Sequence, residues 1–600
     1  MQTRAILTIE QLLPQVEPPA HRVAIIGMGS RGLSILEQLI GMSRQANAQA
    51  LRIDVFDPQP PGAGLHHSEQ PDYLMLNTMA GQLSAFSSAF PASDPAGWTF
   101  LQWCNAHSVR LDERGHVSAN GQGRPVDFGD FVPRKLLGRY LQDSYRWLLR
   151  QCPAQVKVFH HAERVVGCQP RNDAPGFRLR TAGFRLDVDA LFLTTGHAPA
   201  TLDVQSVDGA VAIEGLGLTA MDTLASFTQG RGGRYERDAS FAGWRYVPSG
   251  REPRLFLYSR SGLPFHARPQ WQPGGNPPLP RQYFTAAAIN ELRQHSTTGQ
   301  LDFQRDVLPL IVDEMRAVFY QASVRLQAPR SLDAVQQALR GAVDQLARRA
   351  LFAALAEHWG EFEPEQWLTT ERWSGADDAY SSWFTQWIER ELALSRLGTI
   401  RSPIRQALEV WRDCRDLLRL VADRNGLTEE STREFYGIWA GLSNRLVGGP
   451  QKERYEDLLA LIKAGVVTVL PPVGNALNGH SVQKDRRFDR VIPGRVAHSG
   501  LSSVGSGAID DLRHAGVIRP AHAWPADGIE TDAVCRAVDS RGAVQQRLWV
   551  LGPVAEGCTF YNHYVPTPDP GCRAPIEARQ AVESCLNTLA ASSLSTSCIA

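Results

Sequence analysis

Apolar positions in this chain follow two patterns. Short, nearly unbroken apolar blocks recur at 23–26 (VAII), 53–56 (IDVF), 191–194 (LFLT), 466–470 (VVTVL) and 548–551 (LWVL). Each has the length of a strand and is bounded by glycine, proline or polar residues. Elsewhere the spacing is helical. Leu33, Leu36 and Leu39 follow the first block at that period, and a long stretch from Tyr283 to Lys463, rich in Leu, Ala, Arg, Glu and Trp, sustains it. Further strand signals lie in RLFLYSRSG and RFDRVIPGRV, and a last helix is expected near 576–590. Strands alternating with helices predict an α/β fold with parallel sheets, and the helical stretch reads as an elaboration of it.

Composition narrows the function. The 600 residues carry 62 Lys+Arg against 62 Asp+Glu, so the basic surplus that nucleic-acid binding needs is missing. No apolar run reaches the ~18 residues of a membrane span. The nine cysteines include no Cys-x-x-Cys pair, which disfavours a zinc ribbon, a secreted disulfide scaffold and a disulfide reductase. Residues 1–20 lack the apolar core of a signal peptide and read as an arm. A cytoplasmic protein is expected, with no membrane and no nucleic-acid partner.

Two glycine turns carry the chemistry. In HRVAIIGMGSRGLSILEQLI, Gly27, Gly29 and Gly32 form G-x-G-x-x-G between a strand and a helix. The first glycine permits the tight turn, the second lets backbone approach a pyrophosphate, and the third brings helix and strand close. The helix N-terminus then faces the phosphates with free N–H groups. Asp57, at the end of the next strand, is placed to accept a ribose hydroxyl, with Asp54 the weaker candidate. The second turn, VAIEGLGLTAMDTLASF, has Gly215, Gly217 and Thr219 but lacks the third glycine. Arg260, after the following strand, could pair with a 2′-phosphate, which favours NADPH over NADH. Two dinucleotide sites in one chain imply a hydride passing between two cofactors, FAD in the first and NADPH in the second.

The expected architecture is therefore two nested dinucleotide-binding (Rossmann-like) domains with a large, mostly helical insertion. The arm occupies 1–20. The FAD domain takes 21–200 and returns at 501–600, while the NADPH domain takes 201–282 and returns at 465–500. The insertion, 283–464, is the expected substrate region.

VAIIGMGSRGLSILEQL, GAGLHHSEQPDYLMLNT, FVPRKLLGRYL, LFLTTGHAP, GLGLTAMDTLASFTQGRGG and LGPVAEG together resemble the FAD/NAD(P)-binding proteins related to flavin-dependent N-hydroxylating monooxygenases. Within them the length and insertion are most similar to bacterial aspartate N-monooxygenases that form nitrosuccinate. The likeness covers most of residues 21–600 and is thin in the insertion. Ser30 departs from it, standing where the group usually has proline. The resemblance implies that Gly27, Gly29, Gly32 and Asp57 hold the adenosine diphosphate half of FAD. It also implies that the loop ending at Asn77 passes beside the isoalloxazine, that Gly196 and His197 mark the crossover near the flavin, and that Gly552 brings a helix N-terminus to its pyrimidine end. Gly215, Gly217, Thr219 and Arg260 would take NADPH. The implied reaction uses a small-molecule amine and dioxygen, through a flavin C4a-hydroperoxide that a neutral amine attacks. The chain would act alone or as a homo-oligomer. A flavoprotein C-hydroxylase or oxidase, or a flavin binder without catalysis, are the competing functions.

Substrate contacts are harder to read. Arg412, Arg415 and Arg419 are spaced to lie on one helix face and could clamp a dicarboxylate. Asp413 and Asp416 among them favour the alternative, a salt-bridged solvent face. Arg134 is expected either to touch a flavin phosphate or to cap a helix. The pairs His66–His67 and His160–His161 lack zinc-like spacing to a third ligand, so no metal is expected. Trp367, Trp373, Trp383, Trp387 and Trp411 read as core.

Overall fold

The computed structural model describes residues 21–597 apart from 46–48, 92–96, 197–205, 240–242, 276–278, 370–372, 473–487, 497–499 and 504–506. In chain order, β1 (His21–Ile26), β2 (Leu51–Phe56), β3 (Val156–His161) and β4 (Ala190–Leu193) come first. Then follow β5 (Ala210–Glu214) and β6 (Arg254–Tyr258), β7 (Val467–Val469) and β8 (Arg490–Pro493), and finally β9 (Arg536–Val538) and β10 (Val544–Val550). They form two sheets. One is six-stranded in the order β9–β10–β4–β1–β2–β3, parallel except for the edge strand β9. The other is four-stranded and parallel, in the order β7–β6–β5–β8. A three-stranded antiparallel sheet, from Gly167–Pro170, Phe177–Arg180 and Arg185–Val188, is appended to the first.

The central strands read as continuous apolar runs because both faces are covered. Val23, Ala24 and Ile25 are wholly buried. The main helices, again in chain order, are α1 (Ser30–Met42), α2 (Arg134–Arg150), α3 (Leu218–Phe227), α4 (Tyr380–Leu397), α5 (Val410–Asp413), α6 (Arg415–Ala422), α7 (Lys452–Lys463) and α8 (Arg573–Ser597). Helix α1 packs between α2 and α8, which buries even its Glu37 and Gln38. Those two groups are satisfied: Glu37 accepts from the Ser87 N–H, and Gln38 donates to the Phe90 carbonyl at 2.9 Å.

The helical stretch does not pack as one body. Helices α4 and α7 lie on the four-stranded sheet, where Tyr380, Phe384, Ile388, Tyr455 and Leu458 share a core with Val211, Ile213 and Leu257. The remaining helices enclose a separate core around Phe303, Leu339 and Trp411, and it takes in Phe560 from the C-terminal part of the chain. Trp411 is fully buried in that second core, whereas Trp373, Trp383 and Trp387 flank the first. Among the described residues no helix is long and apolar enough to cross a membrane.

Candidate active site

At the first turn, Gly27 has φ +95°, and a Cβ there would lie 2.8 Å from the Thr194 carbonyl oxygen. Gly32 admits the Gly27 carbonyl, since a Cβ would sit 2.4 Å from that oxygen. A Cβ on Gly29 would meet only the Cα of Gly64, at 3.5 Å, so two bare backbones face each other beside the α1 N-terminus. Asp57 ties the turn together: one carboxylate oxygen accepts from the Met28 N–H at 2.8 Å and the other from the Gln59 N–H at 2.9 Å. Asp54 is fully buried against Arg52 and His161, which fixes its carboxylate within the sheet.

Arg31, inside the same turn, is buried. Its Nη2 donates to the Asn562 carbonyl at 3.3 Å and its guanidinium lies 4.3 Å over the Tyr564 ring. Its Nε and Nη1 have no acceptor. A buried cation with unmatched donors at a helix N-terminus fits a pyrophosphate. Gly552 (φ +90°) completes the cradle, because a Cβ there would be 3.1 Å from Arg31 Cγ. Asn77 lies half-buried in a segment held against 130–132 by the Leu76 and Ala80 N–H groups. Burial, helped by Arg134 and His67, pushes the His66 imidazole down to about 3, so it stays neutral. Gly196 follows β4; His197 lies outside the described residues.

The second turn is built differently. Gly215 has φ +143°, and a Cβ there would lie 2.4 Å from the Gly494 carbonyl. A Cβ on Gly217 would be 3.3 Å from the Phe265 ring. Thr219 sits half-buried in the first turn of α3. Arg260 is exposed, two residues past the end of β6 and at the same sheet edge, because Glu214 pairs with Tyr258 in parallel register. Arg134, the first residue of α2, faces this unit. Its Nη2 meets Asp222 of α3 at 2.5 Å and its Nε donates to the Met75 carbonyl. Asp222 also faces Arg454 of α7 at 3.7 Å, so the pair joins the two nucleotide units.

The arginine row departs from the expected salt-bridged solvent face. The helix breaks at Cys414, between α5 and α6, and turns the side chains inward. Arg412 Nε pairs with Glu409 at 2.6 Å. Arg415 lies 3.7 Å over the Tyr561 ring, and Arg419 donates to the Phe560 and Tyr561 carbonyls while lying 5.0 Å from the Tyr564 ring. Asp416 instead binds Arg281, at 2.9 Å.

Arg268, buried at 4% exposure, joins this cluster. Its Nε, the Arg412 Nη2 and the Arg415 Nε and Nη2 are buried without acceptors. Behind them Arg405 is neutralised by Glu391 at 2.9 Å, which also binds His266 at 2.8 Å. Burial pushes Glu409 up to about 7, despite the arginines nearby. Burial likewise lowers Arg268 and Arg415. Each unmatched buried donor costs roughly 1–3 kcal/mol, more when charged, so such a cluster is chemically suited to an anion.

Its position matters as much as its charge. Tyr564 lies between Arg419 and Arg31, so one ring separates the cluster from the first glycine turn. Phe265, three residues before Arg268, covers Gly217 of the second turn. Arg31 was detectable as the one cation inside the glycine motif. Arg268, Glu409, Tyr561 and Tyr564 had no signal, because they are far apart in sequence and of ordinary residue types.

Residues 24–198 match the profile of the FAD-NAD(P)-binding family. The chain is 30% identical over 536 residues to the L-aspartate N-monooxygenase (nitrosuccinate-forming) of Streptomyces davaonensis, covering 80% of this chain and 79% of that one. It is 30% identical over 546 residues to the protein of the same name from Streptomyces cremeus, covering 82% and 80%. With the nitrosuccinic acid synthase of Aspergillus oryzae it shares 29% over 601 residues, covering 90% and 88%.

Proposed function

Because the chain belongs to the family of nitrosuccinate-forming L-aspartate N-monooxygenases, we propose that it converts L-aspartate to nitrosuccinate, with FAD and NADPH as cofactors. Bound FAD supplies electron transfer from NADPH to dioxygen and oxygen transfer to the amine. Overall, conversion of the amine to the nitroso level would balance as two NADPH and two dioxygen consumed per product, with water released.

The chain's own residues bind, orient and exclude water. Gly27, Gly29 and Gly32 would let the adenosine diphosphate half of FAD approach the backbone, with Asp57 at the ribose and the open donors of Arg31 at the pyrophosphate. Asn77 and Gly552 would flank the isoalloxazine, and Gly196 would lie at the crossover beside it. Gly215, Gly217, Thr219 and Arg260 would take NADPH. Arg134 would hold the two units in register through Asp222.

The observation that carries the substrate reading is the set of unmatched guanidinium donors on Arg268, Arg412 and Arg415, next to the first turn. A small dicarboxylate satisfies them, and its two carboxylates fix which atom faces the flavin. Arg419 supports Tyr561 from behind.

The test is NADPH consumption by the purified, FAD-loaded protein across a panel of amino acids, with hydroxylamine, nitrite, nitroso product and peroxide scored separately. L-Aspartate is expected to stimulate consumption, with about two NADPH per nitroso product. Stimulation that yields only peroxide would overturn the assignment.

A further inference from the structure

The arginine cluster contains one group that dicarboxylate binding leaves unexplained. Glu409 is 7% exposed and sits among cations: Arg412 touches it at 2.6 Å, and Arg268, Arg405 and Arg415 surround it. Arg405 is already neutralised by Glu391. A carboxylate in an anion pocket repels an incoming carboxylate, so for a ligand that brings only negative charge Glu409 is a defect. For a ligand that also carries an ammonium group it is a complement.

We propose that Glu409 accepts the ammonium group of the substrate, so that the pocket selects an amino dicarboxylate over a plain dicarboxylate. This deepens the reading of Arg268, Arg412 and Arg415 as the carboxylate site and rests on it. The open donors of Arg268 and Arg415 match the two carboxylates. Glu409, which among the described residues otherwise meets only Arg412 at 2.6 Å, matches the third charge of L-aspartate. Asp413, which is solvent-accessible, is the other carboxylate facing Glu409 and adds to its reluctance to ionise.

The pH dependence follows in sign. Burial pushes Glu409 up to about 7. Below that pH it is neutral and offers the ammonium no charge; above it, it is anionic and repels a second anion. Affinity for L-aspartate therefore rises with pH through about 7, while affinity for succinate falls. Opposite slopes are not produced by a purely structural role.

The experiment is calorimetric titration of the FAD-loaded full chain with L-aspartate, succinate and N-acetyl-L-aspartate between about pH 6.5 and 8.5, in wild type and E409Q. In wild type at the upper pH, L-aspartate is expected to bind at least about tenfold more tightly than either ligand without an ammonium group. E409Q is expected to lose that preference and both pH slopes, with succinate binding unchanged or tighter. Parallel pH slopes for L-aspartate and succinate in wild type would overturn the proposal, and they need no variant to fold. Equal weakening of both ligands in E409Q would overturn it as well, by assigning Glu409 a structural role. R415M separates the two readings. If it abolishes binding of both dicarboxylates while E409Q changes neither, the carboxylate site stands and the ammonium site falls. If wild type binds no dicarboxylate, both fall.

Discussion

The two glycine turns reach similar backbone shapes by different routes. In the first, the motif supplies its own third glycine and its own cation: Gly32 makes room for the carbonyl of Gly27, Asp57 holds the Met28 N–H, and Arg31 lies inside the motif, while Thr194 and Gly552 close in from remote segments. In the second, Ala220 stands where the third glycine would be, and the missing space comes from elsewhere. Gly494, just past β8, lies against both Ala220 and Gly215; a Cβ on it would be 2.9 Å from that of Ala220. Both turns lean on remote backbone, Thr194 and Gly552 for the first and Gly494 for the second, but only the first carries a third glycine and a cation within its own motif. A cradle with its own third glycine and its own cation suits a cofactor that stays. A turn with neither a third glycine nor an arginine of its own suits one that comes and goes.

Substitutions can test that contrast. The largest effect is expected from G27V. It combines a left-handed φ with a clash against the Thr194 carbonyl, and strain of a few kcal/mol corresponds to roughly a hundredfold or greater loss of FAD affinity. Flavin content after purification reads it directly. Next is R415M, which removes two open donors at the proposed anion site. A charged hydrogen bond is worth about 1.5–3 kcal/mol, so kcat/KM for L-aspartate should fall by about 10–150-fold while flavin content is unchanged.

G494A tests whether the second turn depends on its distant partner. Its Cβ would press on Ala220 and Ile213, and displacement of the turn should raise the KM for NADPH by roughly tenfold with FAD retained. Loss of FAD instead would mean that the two units do not act separately. The smallest effect is expected from R260A. Removing one exposed cation should reduce the preference for NADPH over NADH by about fivefold, and more at low ionic strength. An unchanged preference would take Arg260 out of the NADPH site.

Local features carried much of this in advance. The strand–turn–helix at 21–42 was readable because its apolar block, glycine spacing and helical period lie within twenty-odd consecutive residues. The helical character of 283–464 was readable from periodicity alone. How those helices divide was not: α4 and α7 belong with the four-stranded sheet, and nothing in their sequence distinguishes them from helices that bury their faces against one another. The row Arg412–Arg415–Arg419 shows the same limit from the other side. Its spacing assumed one unbroken helix and local pairing with Asp413 and Asp416, but the break at Cys414 and the arrival of Tyr561 and Tyr564 decided where the guanidiniums point. Arg134 likewise found its partner in Asp222, across the boundary between units.

What the chain order alone determined is the set of local instructions: which blocks are strands, where glycine permits a left-handed turn, which stretches are helical, and that two nucleotide cradles alternate along the chain. These depend on residues a few positions apart, where backbone sterics and side-chain period act directly. Only the tertiary structure decided which charges are buried together. The cost of an unmatched buried ion depends on neighbours that folding brings from remote segments, so Arg268, Glu409, Arg415 and Tyr561 become a site only once the sheets and helices have closed around them.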